Sequence, residues 1–294
     1  MEKTQTTCDS CSHKASCSSA GTKPCENEQE RRNRQLMDRR LGSIKNKLVV
    51  MSGKGGVGKS STAVNLALAL VNEGKRVGLL DVDIHGPSIP KMLGVEDAKP
   101  RAVEEQILPV MCNELRVMST GFLIPQEKKA IILRGPKKNL LIQQFIRDVA
   151  WGELDYLVVD CPPGTGDEPL AVLQLMGSGT MAVIVTTPQD VAVLDVKKSL
   201  TFCEELKMPV LGVIENMSGF VCPHCGEMVD IFKSGGGQVM AEEMKVPFLG
   251  RIPIDPALVK SGDDGTPYVV AYPDTETAKA ICGIARNLIQ KAES

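Results

Sequence analysis

The chain has 294 residues, 43% of them hydrophobic, and a formal net charge of -2. This is enough apolar material for a large core, as one α/β domain or one domain with a small appendage, and it excludes a global basic field for nucleic acid or an anionic bilayer. No apolar run approaches the roughly 18 to 20 residues that span a membrane, and the first residues lack the apolar stretch of a secretion signal, so the expectation is a cytoplasmic protein with neither nucleic acid nor membrane as partner.

Residues 1–25 are rich in Cys, Ser, Thr and Lys and nearly devoid of large apolar side chains, so they cannot pack a core of their own. Cys8, Cys11, Cys17 and Cys25 lie here, four of ten cysteines in the chain, and in a reducing compartment such clustering points to metal rather than disulfides. The segment 26–46 is charged and helix-permissive, with Glu28, Glu30, Arg31, Arg32 and Arg34, and reads as a tether or exposed helix. Residues 47–294 form the expected main domain. Cys112, Cys161, Cys203 and Cys282 stand alone and read as small buried apolar side chains.

From Lys47 onward, short β-rich apolar runs alternate with helical patterns, the signature of a doubly wound, mainly parallel sheet with helices on both faces. Strands are expected at 48–51, 77–81, 156–160, 182–186, 211–215 and 248–251. Helices are expected from Ser60 to a stop at Gly74, and over 136–150, 191–206, 237–244 and 275–291.

Between the first strand and first of these helices runs Gly53-Lys54-Gly55-Gly56-Val57-Gly58-Lys59-Ser60. Gly53 and Gly58 have phosphate-loop spacing, and the strand, glycine-rich turn and helix come in the required order. The backbone N–H groups of residues 55–60 are expected to cradle phosphate oxygens, Lys59 to reach the β and γ phosphates, and the Ser60 hydroxyl to ligate Mg2+; the nucleotide contacts run from Gly53 to Ser61. Lys54 is the departure: an ammonium so early in the loop cannot easily reach phosphates held by its own chain. Two acidic strand ends, Asp81-Val82-Asp83 and Asp160, precede Gly/Pro loops, where ligands gather in open parallel sheets. Asn216, placed immediately after the strand 211–215, has an amide suited to a base edge.

Far downstream stands Cys222-Pro223-His224-Cys225-Gly226. Its two thiolates suit one metal centre but cannot close a zinc site or a four-iron cluster, each needing about four ligands; a second copy about a two-fold axis would supply the rest. Iron–sulfur and zinc both remain open on the thiolates alone. If dimerisation completes the metal site, nucleotide state can control metal holding.

The segment 54–60 resembles the deviant phosphate loop of the septum-positioning, plasmid-partition and nitrogenase iron-protein ATPases. That resemblance implies that Lys54 crosses a dimer interface to the partner's nucleotide, that Asp160 holds magnesium through water, that Asp83 positions the attacking water, and that Asn216 contacts adenine. Taken with 52–60, 81–90, Arg134-Gly135-Pro136, 160–167, 187–190, 215–218 and 222–225, the chain resembles the Mrp/Nbp35/ApbC family of iron–sulfur cluster carrier ATPases. The resemblance implies a homodimeric ATP hydrolase, Mg2+-dependent and slow, holding a bridging [4Fe-4S] cluster on Cys222 and Cys225 of both copies. It also implies apo iron–sulfur proteins and cluster-loading factors as partners. Cys8, Cys11 and Cys17 resemble part of an N-terminal cluster motif with Cys25 as a fourth ligand; zinc and a three-ligand site are the alternatives there. For the whole chain the alternatives are a partition or positioning ATPase and a zinc-binding regulatory ATPase.

Overall fold

The structure, a computed structural model, describes residues 28–83, 86–123, 135–222, 225 and 227–294. Cys8, Cys11, Cys17, Cys25, Arg134, Pro223 and His224 lie outside the described residues.

The charged leader is a helix, α1 (Glu28–Gly42), with acidic residues in its first turn and Arg39 and Arg40 in its last, each complementing the helix dipole. It is not wholly a tether: Leu41 is buried at its end, beside the first strand. That strand, β1 (Ile44–Met51), starts earlier than the apolar run suggests, because Ile44 pairs with Leu154 across Lys45 and Asn46. The phosphate loop leads to α2 (Lys59–Asn72), which stops at Gly74, left-handed at φ 76° and donating its N–H to Val71 O. Next come β2 (Val77–Asp81), a single turn α3 (Ile89–Met92), an exposed two-stranded ribbon of β3 (Arg101–Val103) and β4 (Gln106–Leu108), and the antiparallel pair β5 (Val110–Cys112) and β6 (Leu115–Ser119).

The second half repeats the strand–helix alternation with α4 (Gly135–Asp148), β7 (Leu154–Asp160), α5 (Asp167–Met176), β8 (Thr180–Thr186), α6 (Asp190–Glu205) and β9 (Val210–Val221). A short β10 (Met228–Val229) folds back on the tail of β9; then follow α7 (Gly236–Glu243), β11 (Phe248–Ile254), α8 (Pro256–Asp263), α9 (Tyr268–Ala271) and α10 (Glu276–Ala292). Asp255 and Thr275 cap α8 and α10 by accepting the N–H of Ala257 and Ala278.

The sheet order is β10-β9-β8-β1-β7-β2-β6-β5, with β11 paired to β9; β5 and β10 are antiparallel and the other pairings parallel. Successive side chains of a strand face opposite ways. Leu48 and Val50 therefore enter the layer under α2 and α10, while Val49 and Met51 enter the one under α4, α5 and α6. Both layers are built of buried apolar side chains, so the central strands read as unbroken apolar runs. Among the described residues no helix is long and apolar enough to cross a membrane.

Cys161 and Cys203 are buried as expected, but Cys112 and Cys282 are only half-buried, packed against the outside of the core on β5 and α10. Burial pushes the thiol of Cys203 up to about 12 and raises that of Cys161 further, so neither is a thiolate at neutral pH.

Candidate nucleotide site and thiol hairpin

Residues 53–60 lie at the C-terminal edge of the sheet, where β1 turns into α2. Gly58 is the residue before α2, at φ 77°, and the first turn of α2 carries no acidic side chain, so the positive helix end is uncompensated from within. Space around the loop glycines differs. A Cβ on Gly55 or Gly56 would meet nothing within 4 Å, whereas one on Gly53 would sit 2.4 Å from Asp195 O on α6, and one on Gly58 2.2 Å from Asn216 Nδ2. Gly53 and Gly58 thus admit close neighbours, and Gly55 and Gly56 leave an open cradle.

Lys59 points down from the loop to Asp160, the last residue of β7, with Nζ 2.5 Å from Oδ1. Burial raises the Asp160 carboxyl above its ordinary value, with Lys59 and Ser60 pulling it down and Asp83 adding repulsion. Its Oδ2 is buried with no hydrogen-bond partner, in a site with Ser60 alongside. An orphaned carboxylate oxygen beside a hydroxyl fits a hard, oxygen-ligated cation such as magnesium. Asp81 pairs in register with Asp160 across β2 and β7, and with Ser119 across β2 and β6. Burial, then repulsion from Asp160, pushes the Asp81 carboxyl up to about 8; Ser119 Oγ donates to its Oδ2 and the Asp83 N–H to its Oδ1. Asp83 itself stands half-exposed at the mouth. Lys54 is half-buried, and among the described residues no carboxylate lies within ion-pair distance of it.

The expected position of Asn216 needs correction. It is inside β9, not after it, because β9 continues to Val221 and Asn216 pairs with Ile252 of β11. Its Nδ2 donates to Val57 O at 2.9 Å, so one amide hydrogen is committed to the phosphate loop. Beside it opens a cavity of about 720 Å3, lined by Gly58, Ser61 and Asn216 together with Met217, Phe232 and Pro253. This volume is typical of small-molecule sites, and its walls are largely apolar. Phe232 and Pro253 carried no motif, and Met217 only the resemblance of 215–218.

The thiols sit at the tip of the β9–β10 hairpin. Cys222 follows β9 directly, its N–H donating to Glu227 O to close the turn, and Cys225 is exposed. Cys222 is six residues beyond Asn216, at most about 20 Å at the rise of a strand. The structure thus brings Lys59, Ser60, Asp81, Asp83, Asp160 and Asn216 around one loop and puts Cys222 and Cys225 on an outward extension of the same sheet edge.

A family model described as the NUBPL iron-transfer P-loop NTPase matches residues 43–289. The iron-sulfur cluster carrier protein of Methanocaldococcus jannaschii is 48% identical over 287 residues, 97% of this chain and 96% of that protein. The human cytosolic Fe-S cluster assembly factor NUBP2 is 46% identical over 254 residues, 85% of this chain and 94% of that protein. Among solved structures, a nucleotide-binding protein from Archaeoglobus fulgidus in complex with ADP has a TM-score of 0.71 at 42% identity, covering 79% of this chain and 91% of that one. The cell-division ATPase MinD of Pyrococcus furiosus, at TM-score 0.63 and 23% identity, shares the fold. With the phosphate loop, the acidic strand ends and the thiol hairpin in one frame, the chain belongs to the family of NUBPL iron-transfer P-loop NTPases.

Proposed function

We propose that this chain is an ATP-dependent carrier of iron–sulfur clusters that works as a homodimer in the cytosol and passes its cargo to apoproteins. One observation carries the reading: the strand whose Asn216 touches the phosphate loop ends in a hairpin presenting two cysteines, and among the described residues no group of three or more Cys, His, Asp or Glu side chains is placed to hold a metal ion. Two such hairpins about a two-fold axis supply the four thiolates of a [4Fe-4S] cluster. Exposed apolar side chains near the hairpin, Val221, Val229 and Ile231, and Leu194 (63% exposed) beside the phosphate loop, support burial of this face against a second copy.

In this mechanism Lys59 leaves Asp160 to hold the β and γ phosphate oxygens, and the amides of residues 55–60 orient them. Ser60 and Asp160 hold magnesium, which supplies charge neutralisation on the phosphates when bound. Asp83 orients the attacking water, and Lys54 reaches the nucleotide of the other copy. Hydrolysis is slow because the second copy must be in place. Cys8, Cys11, Cys17 and Cys25 supply a separate metal site in an N-terminal extension of residues 1–25, tethered through 26–46 to the main domain. The relatives' names, a cluster carrier and cytosolic assembly factors, support cargo and compartment.

A membrane-positioning role has less support, since the apolar face of α10 is spent on the core through Ile281, Ile284 and Leu288. The test is anaerobic reconstitution with iron and sulfide, then iron counting and Mössbauer spectroscopy, on the full chain and on Cys222→Ala. The expected result is that the variant holds about four irons fewer per dimer than the full chain and lacks the bridging cluster's signal, while still binding nucleotide. Equal iron in both would sink the assignment.

A further inference from the structure

Glu215, one residue before Asn216, is wholly buried. Its carboxylate accepts the N–H groups of Gly235 at 2.8 Å and Gly237, both at the start of α7, and the hydroxyl of Ser218; Arg251 Nε lies 3.4 Å away. The segment between Glu215 and Gly235, 20 positions apart in sequence, is the one that carries Cys222 and Cys225. Both feet of this excursion therefore meet on one carboxylate. Side chains are excluded at this start of α7: a Cβ on Gly237 would lie 2.9 Å from Glu215 Oε2, one on Gly236 2.3 Å from Pro188 O, and Gly235 has φ 86°. Just above the closure the backbone kinks, with Met217 at φ 58° and Gly219 at φ 74°. Two side chains of the excursion, Met217 and Phe232, also line the cavity beside the phosphate loop.

We propose that Glu215 is a positioning residue for the thiol pair: by tying the excursion at its base it fixes the spacing of Cys222 and Cys225 and lets a nucleotide pressed against Met217 and Phe232 alter that spacing. The proposal rests on the reading of these cysteines as cluster ligands, but its test needs no cluster. In glutamine the second carboxylate oxygen becomes an NH2 group, so one glycine N–H loses its buried acceptor and the closure opens more often.

The experiment is iodoacetamide labelling of the reduced, chelator-treated full chain, followed by mass spectrometry at each cysteine, with and without a magnesium-bound non-hydrolysable ATP analogue. In the unsubstituted protein the analogue should change the labelling rates of Cys222 and Cys225. In Glu215→Gln both rates should rise by about tenfold, the weight of one hydrogen bond to a charged group, and the response to the analogue should be lost. Cys203 is the internal control, since it is buried away from the hairpin. Equal acceleration at Cys203 would mean that the whole fold loosened, and unchanged rates at Cys222 and Cys225 would mean that the closure does not act on them; either overturns the proposal. Ser218→Ala, which leaves both amide bonds, should give the same pattern more weakly and serves if Glu215→Gln does not fold. Iron content of Cys222→Ala tests the ligand reading separately, and its failure leaves the labelling result standing.

Discussion

Lys59 and Asp160 form an ion pair of 2.5 Å with side chains 7% and 1% exposed, and the second oxygen of Asp160 has no hydrogen-bond partner. The pair couples the first residue of α2 to the last residue of β7, 101 positions apart in sequence. Lys59→Met deletes the proposed phosphate ligand and leaves a buried carboxylate without its cation. A lone buried charge costs about 3–5 kcal/mol, but Asp160 is already biased toward its protonated form and can take up a proton instead. The loss of nucleotide affinity should therefore outweigh the loss of stability: at least about 100-fold in ATP affinity by calorimetry, from two charge-assisted hydrogen bonds at ~1.5 kcal/mol each, with a melting shift of only a few degrees. Unchanged affinity would remove Lys59 from the phosphate site.

The glycines of the loop should separate by purpose. Gly58→Ala forces a side chain onto a backbone at φ 77° and within 2.2 Å of the Asn216 amide. A left-handed non-glycine residue costs roughly 1–3 kcal/mol, and the displaced amide also loses Val57 O. Both stability and nucleotide binding should fall. Gly55→Ala meets nothing within 4 Å, so its melting temperature should match the unsubstituted protein, and any loss of ATP affinity would report the ligand's own approach to the loop. A Gly58→Ala protein with unaltered melting would contradict the close packing seen here.

This contrast marks what a sequence discloses. The parallel core was legible because Leu48, Val49 and Val50, or Val158 and Val159, lie in apolar runs with both faces buried, and the phosphate loop because its glycines and lysine follow a strand and open a helix. Strand β6 escaped notice: Arg116 interrupts its run, and only the fold reveals that its guanidinium donates to Trp151 O and Glu153 O. The far wall of the cavity beside the phosphate loop escaped for another reason, since Phe232 and Pro253 are unremarkable until β9, the hairpin and β11 converge. The helix expected from Gly237 is present, but nothing in the sequence shows that glycines 235–237 at its start press against Glu215. Local patterns reveal elements and loop chemistry; long-range closures have no local signal.

At the opposite edge of the sheet, Asp155 accepts from the backbone N–H and Nε of Arg76 and from Lys45, and these partners, Arg76 first, hold its carboxyl well below the usual carboxylate range. A depressed folded-state pKa gives stability that is present above the unfolded value near 3.9 and lost as pH falls through the folded one. Asp155→Asn should therefore melt below the unsubstituted protein at pH 7, by about 2 kcal/mol for hydrogen bonds to a charged group, and the gap should hold from pH 8 to pH 5 and narrow progressively as pH falls below about 4. A gap of undiminished size at pH 2 would show that Asp155 contributes through packing and not through its charge.

Lys54 distinguishes one copy acting alone from two acting together. Its neighbour Lys59 is spoken for by Asp160, whereas among the described residues no carboxylate lies within ion-pair distance of Lys54, although its main-chain carbonyl is held by Ser52 Oγ at 2.9 Å. The loop's backbone is thus fixed while the ammonium remains available to a second molecule. If it serves the nucleotide of the other copy, Lys54→Ala should bind ATP within about threefold of the unsubstituted affinity, since removing an exposed charge pair costs less than ~1 kcal/mol. It should nevertheless lose most ATP-dependent dimerisation in sedimentation and at least ~100-fold in hydrolysis, the effect expected when a transition-state cation is withdrawn. Mixing Lys54→Ala with an equal amount of Lys59→Met should then restore part of the activity, because in the mixed dimer the intact Lys54 sits opposite the intact phosphate loop. Absence of such rescue, with both variants dimerising normally, would confine Lys54 to its own chain.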